Sequence, residues 1–421
     1  MKARTSMSLV VQMRCSKCGT KYDPAAIPVM CEKDDLGRLD IFYDYERAKD
    51  SLSREALAKR PRDVWRWQEL LPAGAEMAPR LGEGGTPLIR AGRLGEALGL
   101  RDLYLKDETR NPTGSFKDRA MAVSVSKAVE KRVKVVTTAS SGNAAAALSA
   151  YAASAGLQVV AFVLDTVSDA KVSQLSLFGA RVIKVKGIEL GQDPTVMMMR
   201  EAVRRKGWYP SPSFGPFNPY QVEGPKTISY ELAEGFLWGE YDWLLAPTGS
   251  SCLAAGLWKG LRDLVEVGLA KGYPRLVPIQ PSGNSALVRA LKSNIPAEEI
   301  KAEAHPSTIA SGLEDPYPWD ADSTIEGVSK TKGLGESVSD EEILKAVTDL
   351  ARYEGIFAEP SGAAAIAGAR KLKEAGVIDP GDRVVVLITG SGLKDLDSIR
   401  RMVGPVPTIE PSFAELDRIL V

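Results

Sequence analysis

Histidine is almost missing from this chain of 421 residues: His305, between Ala304 and Pro306, is the only one. Imidazole chemistry is therefore hard to assemble, and proton transfers have to fall to another side chain. Cysteine is scarce too, limited to Cys15, Cys18, Cys31 and Cys252. That is too few for a disulfide framework in a chain this long, and points to a reducing compartment. No apolar run approaches the roughly 18 residues that cross a bilayer, so no membrane partner is expected. Neither charge is in excess, since lysine plus arginine and aspartate plus glutamate both total 54. The basic footprint of a nucleic-acid binder is absent, and a small discrete ligand is the expected partner. Residues 1–11 carry Lys2 and Arg4 without a secretory apolar region, and a transit peptide would be longer and richer in arginine. The expected location is the cytoplasm.

What is present is alternation. The length predicts more than one domain, and β-branched runs at Val133–Ala139, Val159–Leu164, Arg181–Lys186, Trp243–Ala246, Leu276–Gln280 and Val384–Thr389 alternate with helical stretches. Such alternation predicts βα units and parallel sheets, an α/β fold. Between them, Ala144–Ala155 has the small side chains that let a helix lie close to a sheet.

One stretch concentrates the chemistry: Asn111-Pro112-Thr113-Gly114-Ser115-Phe116-Lys117-Asp118-Arg119. Asn-Pro and Gly break the preceding strand, while Ser115 and Asp118 have the spacing of a capping box that opens a helix. Lys117 then falls in the first turn, where the positive end of the helix favours the neutral, nucleophilic amine that a Schiff base requires. Taken alone, such a lysine is an ordinary surface residue at a helix start. Its setting resembles the cofactor-lysine segment of the fold type II pyridoxal phosphate (PLP) enzymes, and its full spelling is most similar to the threonine synthase family. The aromatic lead-in with Trp65 and Trp67, the turn Gly82–Leu88, which on its own residues is a tight turn before a strand, and the segment Glu359-Pro360-Ser361-Gly362 extend the resemblance over residues 61–403.

The resemblance implies two open parallel-sheet domains of the tryptophan synthase β-like architecture. Residues 61–112 with 226–421 would form a large PLP domain and 113–225 a small mobile one, with a zinc-ribbon-like extension over 1–60. Ser140-Ser141-Gly142-Asn143 ends a strand and opens a helix, a place where backbone N–H groups meet an anion. Read alone it is a turn with a cap; in the family the matching loop grips the substrate carboxylate and Asn143 faces the PLP ring hydroxyl. Thr248-Gly249-Ser250-Ser251-Cys252 leads into the next helix and is the expected cradle for the cofactor phosphate, with serines where the family has more glycine or asparagine. Cys252 lacks a neighbouring base and reads as a small buried residue. Thr389, in Thr389-Gly390-Ser391-Gly392-Leu393-Lys394, would meet the pyridine nitrogen, and Ser391 stands where the family often has histidine.

Two stretches depart from the pattern. Cys15, Cys18 and Cys31 have the spacing of a zinc ribbon, but the fourth thiolate is replaced by Asp34, a poorer zinc ligand. Before Lys226-Thr227, where the family draws donors for the substrate phosphate, Gln221 stands for an arginine and Gly215-Pro216 for an asparagine and serine. An amide donates but cannot neutralise a dianion, so Lys226, Arg119 or another base would have to restore the charge. Three functions remain open. The first is threonine synthase, a lyase of threonine biosynthesis acting on O-phosphohomoserine, homodimeric by family expectation. The second is PLP-dependent β-elimination or β-replacement on serine or threonine, and the third is a non-catalytic relative.

Overall fold

The structure of the chain, a computed structural model, describes residues 8–187, 193–236, 238–400 and 402–420. Strands β1 (Val10–Cys15), β2 (Lys21–Tyr22) and β3 (Leu39–Tyr43) form an antiparallel sheet in the order β2-β1-β3. Next, β4 (Leu88–Arg90) and β5 (Asp102–Asp107) begin a second sheet. The chain then leaves it to build a wholly parallel sheet from β6 (Val135–Thr138), β7 (Gln158–Leu164), β8 (Arg181–Val185) and β9 (Tyr209–Pro210), ordered β8-β7-β6-β9. It returns with β10 (Trp243–Pro247), β11 (Arg275–Pro281), β12 (Glu336–Val338) and β13 (Arg383–Ile388), completing the order β12-β11-β10-β13-β5-β4. Only β4 runs antiparallel in that sheet.

The β-branched runs picked out in the sequence are β6, β7, β8, β10, β11 and β13. Strands β10 and β13 are apolar almost end to end because helices cover both faces of the sheet, so alternation is lost. Strands β6 to β9 fall within residues 113–225 and the six-stranded sheet lies outside that span. On this placement we propose a smaller body over 113–225 and a larger one formed by 61–112 with 226–421.

Residues 1–60 were expected as a zinc-ribbon-like extension, and the described portion shares a core with the lysine helix. Met13, Ile41 and Tyr43 belong to the same buried cluster as Met121 and Val125. Polar anchors reinforce it: Lys259 Nζ donates to Ile41 O at 2.8 Å, and the Tyr43 hydroxyl to Glu223 at 2.6 Å.

The lysine helix, Lys117–Glu130, is buried from Asp118 to Ala128. A methyl group on Gly224 would stand 2.0 Å from Arg119 O, so only glycine permits the neighbouring turn to cross this closely. Arg119 itself is sealed from solvent, bonded to Glu108 at 2.7 Å and Glu231 at 2.6 Å, while Lys106 reaches Glu231 at 2.6 Å. Removing one partner of such a cluster strands buried charge. Arg119→Ala is expected to lower the unfolding free energy by about 3–5 kcal/mol. A denaturant titration within 1 kcal/mol or so of wild type would show that the cluster relaxes without it.

Candidate active site

Three strands deliver their C-terminal ends to one cavity of about 1000 Å³: β6 leads to Ser140–Asn143, β10 to Thr248–Cys252 and β13 to Thr389. The carboxyl ends of parallel strands are where an open α/β sheet leaves room for a ligand. Lys117 lines the same cavity from the first position of its helix.

How the lysine segment is held differs from the expected capping box. Gly114, at φ +81°, turns the chain, and Phe116 N then donates to Thr389 O at 3.1 Å while Ser391 N donates to Gly114 O at 2.9 Å. Asp118 turns back to accept from Thr113 N at 3.1 Å and Thr113 Oγ1 at 2.9 Å, so Ser115 and Asp118 do not cap each other. The segment is stitched to the end of β13. Lys117 Nζ donates to Ser213 Oγ at 2.7 Å, and burial holds its ammonium pKa below the ordinary lysine value, against weaker opposing fields from Cys252, Asp315 and Asp320.

Two further helices open onto the cavity without caps. Asn143–Ser154 and Cys252–Glu266 each begin with no side-chain cap and no acidic residue in the first turn. Their N–H groups and dipoles are left for anions. Ser251 sits at φ +72°, a left-handed conformation, and its buried hydroxyl has no partner among the described residues. Burial pushes the Cys252 thiol up to about 12, which removes it as a nucleophile at neutral pH. Asn143 Nδ2 donates to Glu359 Oε1 at 2.7 Å, and burial pushes that carboxyl up to about 7. Asp315, also lining the cavity, is raised by burial to about 7 as well.

A sequence profile of the pyridoxal-phosphate dependent enzymes matches residues 79–390. The threonine synthase of Methanocaldococcus jannaschii is 39% identical over 409 residues, covering 97% of this chain and 98% of that one. That of Methanosarcina acetivorans is 38% identical over 388 residues, covering 92% and 93%. The chain belongs to the threonine synthase family of pyridoxal-phosphate dependent enzymes. Solved structures of more distant proteins share the fold. Threonine deaminase isoform 2 of Solanum lycopersicum, in its processed form, has a TM-score of 0.64 at 21% identity, covering 75% of this chain and 81% of that one. O-ureido-L-serine synthase also has a TM-score of 0.64, at 23% identity, covering 79% and 96%.

As a member of the threonine synthase family the chain uses PLP, and its residues fit that group. The uncapped Cys252–Glu266 helix and the unpartnered Ser251 hydroxyl suit the cofactor phosphate, and Lys117 has the desolvated amine that would hold the cofactor. Thr389 lines the cavity, its hydroxyl 3.5 Å from Ser361 O.

Some expected site residues are elsewhere. Gln221 does not line the cavity: it is fully buried, accepts from Ser213 N at 2.8 Å and directs its amide at Met121. It holds Ser213, at φ +74°, beneath Lys117. Lys226 is likewise sealed away, paired with Glu223 at 2.6 Å and Asp263 at 2.9 Å under the Tyr43 ring. Neither it nor Arg119 is free to restore charge at the cavity. Gly215 N donates to Asp320 at 3.0 Å, and Asp320 pairs with Arg38 at 3.1 Å, so the N-terminal segment holds the loop carrying Ser213. No sequence spacing pointed to Ser213, Asp315 or Asp320; Glu359 lay in a segment that carried the family resemblance without an assigned role.

The cysteine cluster is also revised. Cys15, Cys18, Cys31 and Asp35 place ligand atoms within 4.8 Å of one another, with the Cys18 and Cys31 sulfurs 3.6 Å apart. Asp34, at φ +50°, turns outward to Arg200 at 2.8 Å. The fourth candidate ligand is therefore Asp35. Because carboxylate holds zinc less firmly than thiolate, elemental analysis is expected to find zinc below one equivalent and removable by chelator. Stoichiometric zinc that resists chelation would contradict the weakening assigned to Asp35.

Proposed function

We propose that the protein converts O-phosphohomoserine and water into threonine and phosphate, as a lyase of threonine biosynthesis working as a cytoplasmic homodimer. The observation that carries this reading is the convergence of Lys117 with two uncapped helix N-termini in one cavity, in a chain that matches threonine synthases along nearly its full length. PLP, when held through Lys117, supplies an electron sink that weakens the C–H bonds beside the substrate amine. Thr248 to Cys252 would hold its phosphate, Thr389 its ring nitrogen and Asn143 its hydroxyl side. Ser140 to Gly142 would hold the substrate carboxylate with backbone donors.

With one histidine in the chain, proton movement falls to Lys117. Its desolvated amine is poised to take the α-proton, then a β-proton, and to return a proton to Cγ once the Cγ–O bond has broken and phosphate has left with the electron pair. Water then adds at Cβ and passes a proton to the same amine, which returns one proton to Cα and one to the departed phosphate. One base can serve these steps in sequence if it stays out of bulk water. Ser213, held by Gln221 on a loop that Asp320 anchors at Gly215, fixes the amine's rest position.

Serine or threonine dehydration needs fewer steps and no phosphate pocket, and the fold neighbours are compatible with it. Similarity along the whole chain favours the phosphorylated substrate, and an intact lysine with both anion sites argues against a non-catalytic relative. Amino-acid analysis after parallel incubation with O-phosphohomoserine, threonine and serine decides. The expected products are threonine and phosphate from the first, with minor 2-oxo acid from the others. A much higher kcat/KM for 2-oxobutanoate from threonine, with no phosphate release, would select the dehydratase reading. Lys117→Ala should lower turnover by at least 10²–10⁴-fold, on the order of a lost acid–base group, and abolish the hydride-reducible link to PLP. An unchanged link would remove Lys117 from its role.

A further inference from the structure

If the substrate is phosphorylated, three anions must be held in one cavity: the cofactor phosphate, the substrate carboxylate and the substrate phosphate. Two uncapped helix N-termini open there, one after β6 and one after β10. They account for two of the three. A phosphate dianion also needs cationic donors, since amides do not neutralise it.

The stretch from which donors were expected supplies none, because Gln221 is spent on Ser213, and Lys226 and Arg119 sit in buried ion pairs. Among the described residues the cations that line the cavity are Lys117, Lys171 and Lys394. Lys117 is reserved for the cofactor. Lys171 lies on the helix Asp169–Leu177 and makes no ion pair among the described residues. Lys394 ends the short turn Gly392–Lys394 after β13. Its stem passes over Gly114, whose Cβ, were there one, would lie 3.7 Å from Lys394 Cδ, and its ammonium reaches Gln174 Oε1 at 3.4 Å. Gln174 is three residues beyond Lys171, on the same helix face. Lys394 thus reaches the helix that carries Lys171, and both lysines line the cavity and act on Glu359, one from residues 113–225 and the other from the end of the six-stranded sheet. Burial depresses the Lys394 ammonium, with Glu359 and Asp118 exerting the opposing field. A desolvated cation gains most from an anion brought to it.

We propose that Lys171 and Lys394 together form the site for the substrate's phosphate. The inference rests on the phosphorylated-substrate reading and adds a consequence. A dianion between the two lysines ties the 113–225 segment to the larger sheet, so phosphate charge both holds the substrate and closes the cavity around Lys117. Serine and threonine cannot make that tie, which sets the selectivity.

The test uses the PLP-loaded enzyme with Lys171→Met, Lys394→Met and Lys171→Arg, measuring kcat and KM for O-phosphohomoserine and the inhibition constant of inorganic phosphate. Each methionine variant should raise both KM and the phosphate inhibition constant about tenfold to a hundredfold, as expected for loss of a charged donor. Lys171→Arg should recover most of the loss. Lys171, on an open helix face, keeps its fold as methionine, so it decides the matter should Lys394→Met unfold. Unchanged KM and phosphate inhibition in Lys171→Met, in an enzyme that still makes threonine, would overturn the lysine site and leave the proposed reaction standing. A wild-type enzyme that makes no threonine from O-phosphohomoserine would overturn both.

Discussion

Two residues past the helix-opening Lys117, the guanidinium of Arg119 lies out of reach of water between Glu108, just beyond β5, and Glu231 of the helix Thr227–Gly235. A buried charge holds only where its partners are, so this clasp fixes the first turn of the lysine helix against the six-stranded sheet. The rest of the site inherits that placement. Gly114 and Phe116 are bonded to the end of β13, which brings Thr389 beside Lys117, and Gly224 lets the neighbouring turn pass against Arg119 O.

Around the lysine, the cavity is built mostly from backbone dipoles. The helices Asn143–Ser154 and Cys252–Glu266 present free N–H groups where a capping side chain would normally sit. Such donors are pre-set by the strands that lead into them and need no reorganisation when an anion arrives. Titratable side chains play the opposite part: Glu359 and Asp315 are raised by burial towards neutrality, which limits the negative charge that would repel an anionic ligand. The N-terminal sheet joins this construction through Arg38 and Asp320, whose bond to Gly215 steadies the loop on which Ser213 meets Lys117.

The parallel-sheet strands were legible because residues such as those of β7, β10 and β13 are apolar or β-branched runs bounded by turns. The lysine, the loops after β6 and β10, and Thr389 were legible because each sits at a strand-to-helix junction with a distinctive spelling. Long-range pairing was not. Gln221 looked like a substrate contact through its place in a motif, yet its partner is Ser213 N across a tight loop. Lys226 looked like free charge, but Glu223 and Asp263 enclose it, and Asp263 lies far along the chain. The choice between Asp34 and Asp35 turned on a positive φ at Asp34, which local spacing does not encode. Lys171 lay outside every motif, on an ordinary helix, and only the closing of the cavity gives it a neighbour in the Lys394 wall.

In the proposed reaction phosphate leaves from Cγ and water enters at Cβ under the control of Lys117. Turnover of O-phosphohomoserine in ¹⁸O-enriched water, followed by mass spectrometry of both products, reads this bond by bond. One ¹⁸O is expected in the hydroxyl of threonine and none in the phosphate released, because the bridging oxygen departs with phosphorus. Label in the phosphate, with homoserine as the organic product, would mean that water attacks phosphorus and that the cavity does not carry out the elimination assigned to it.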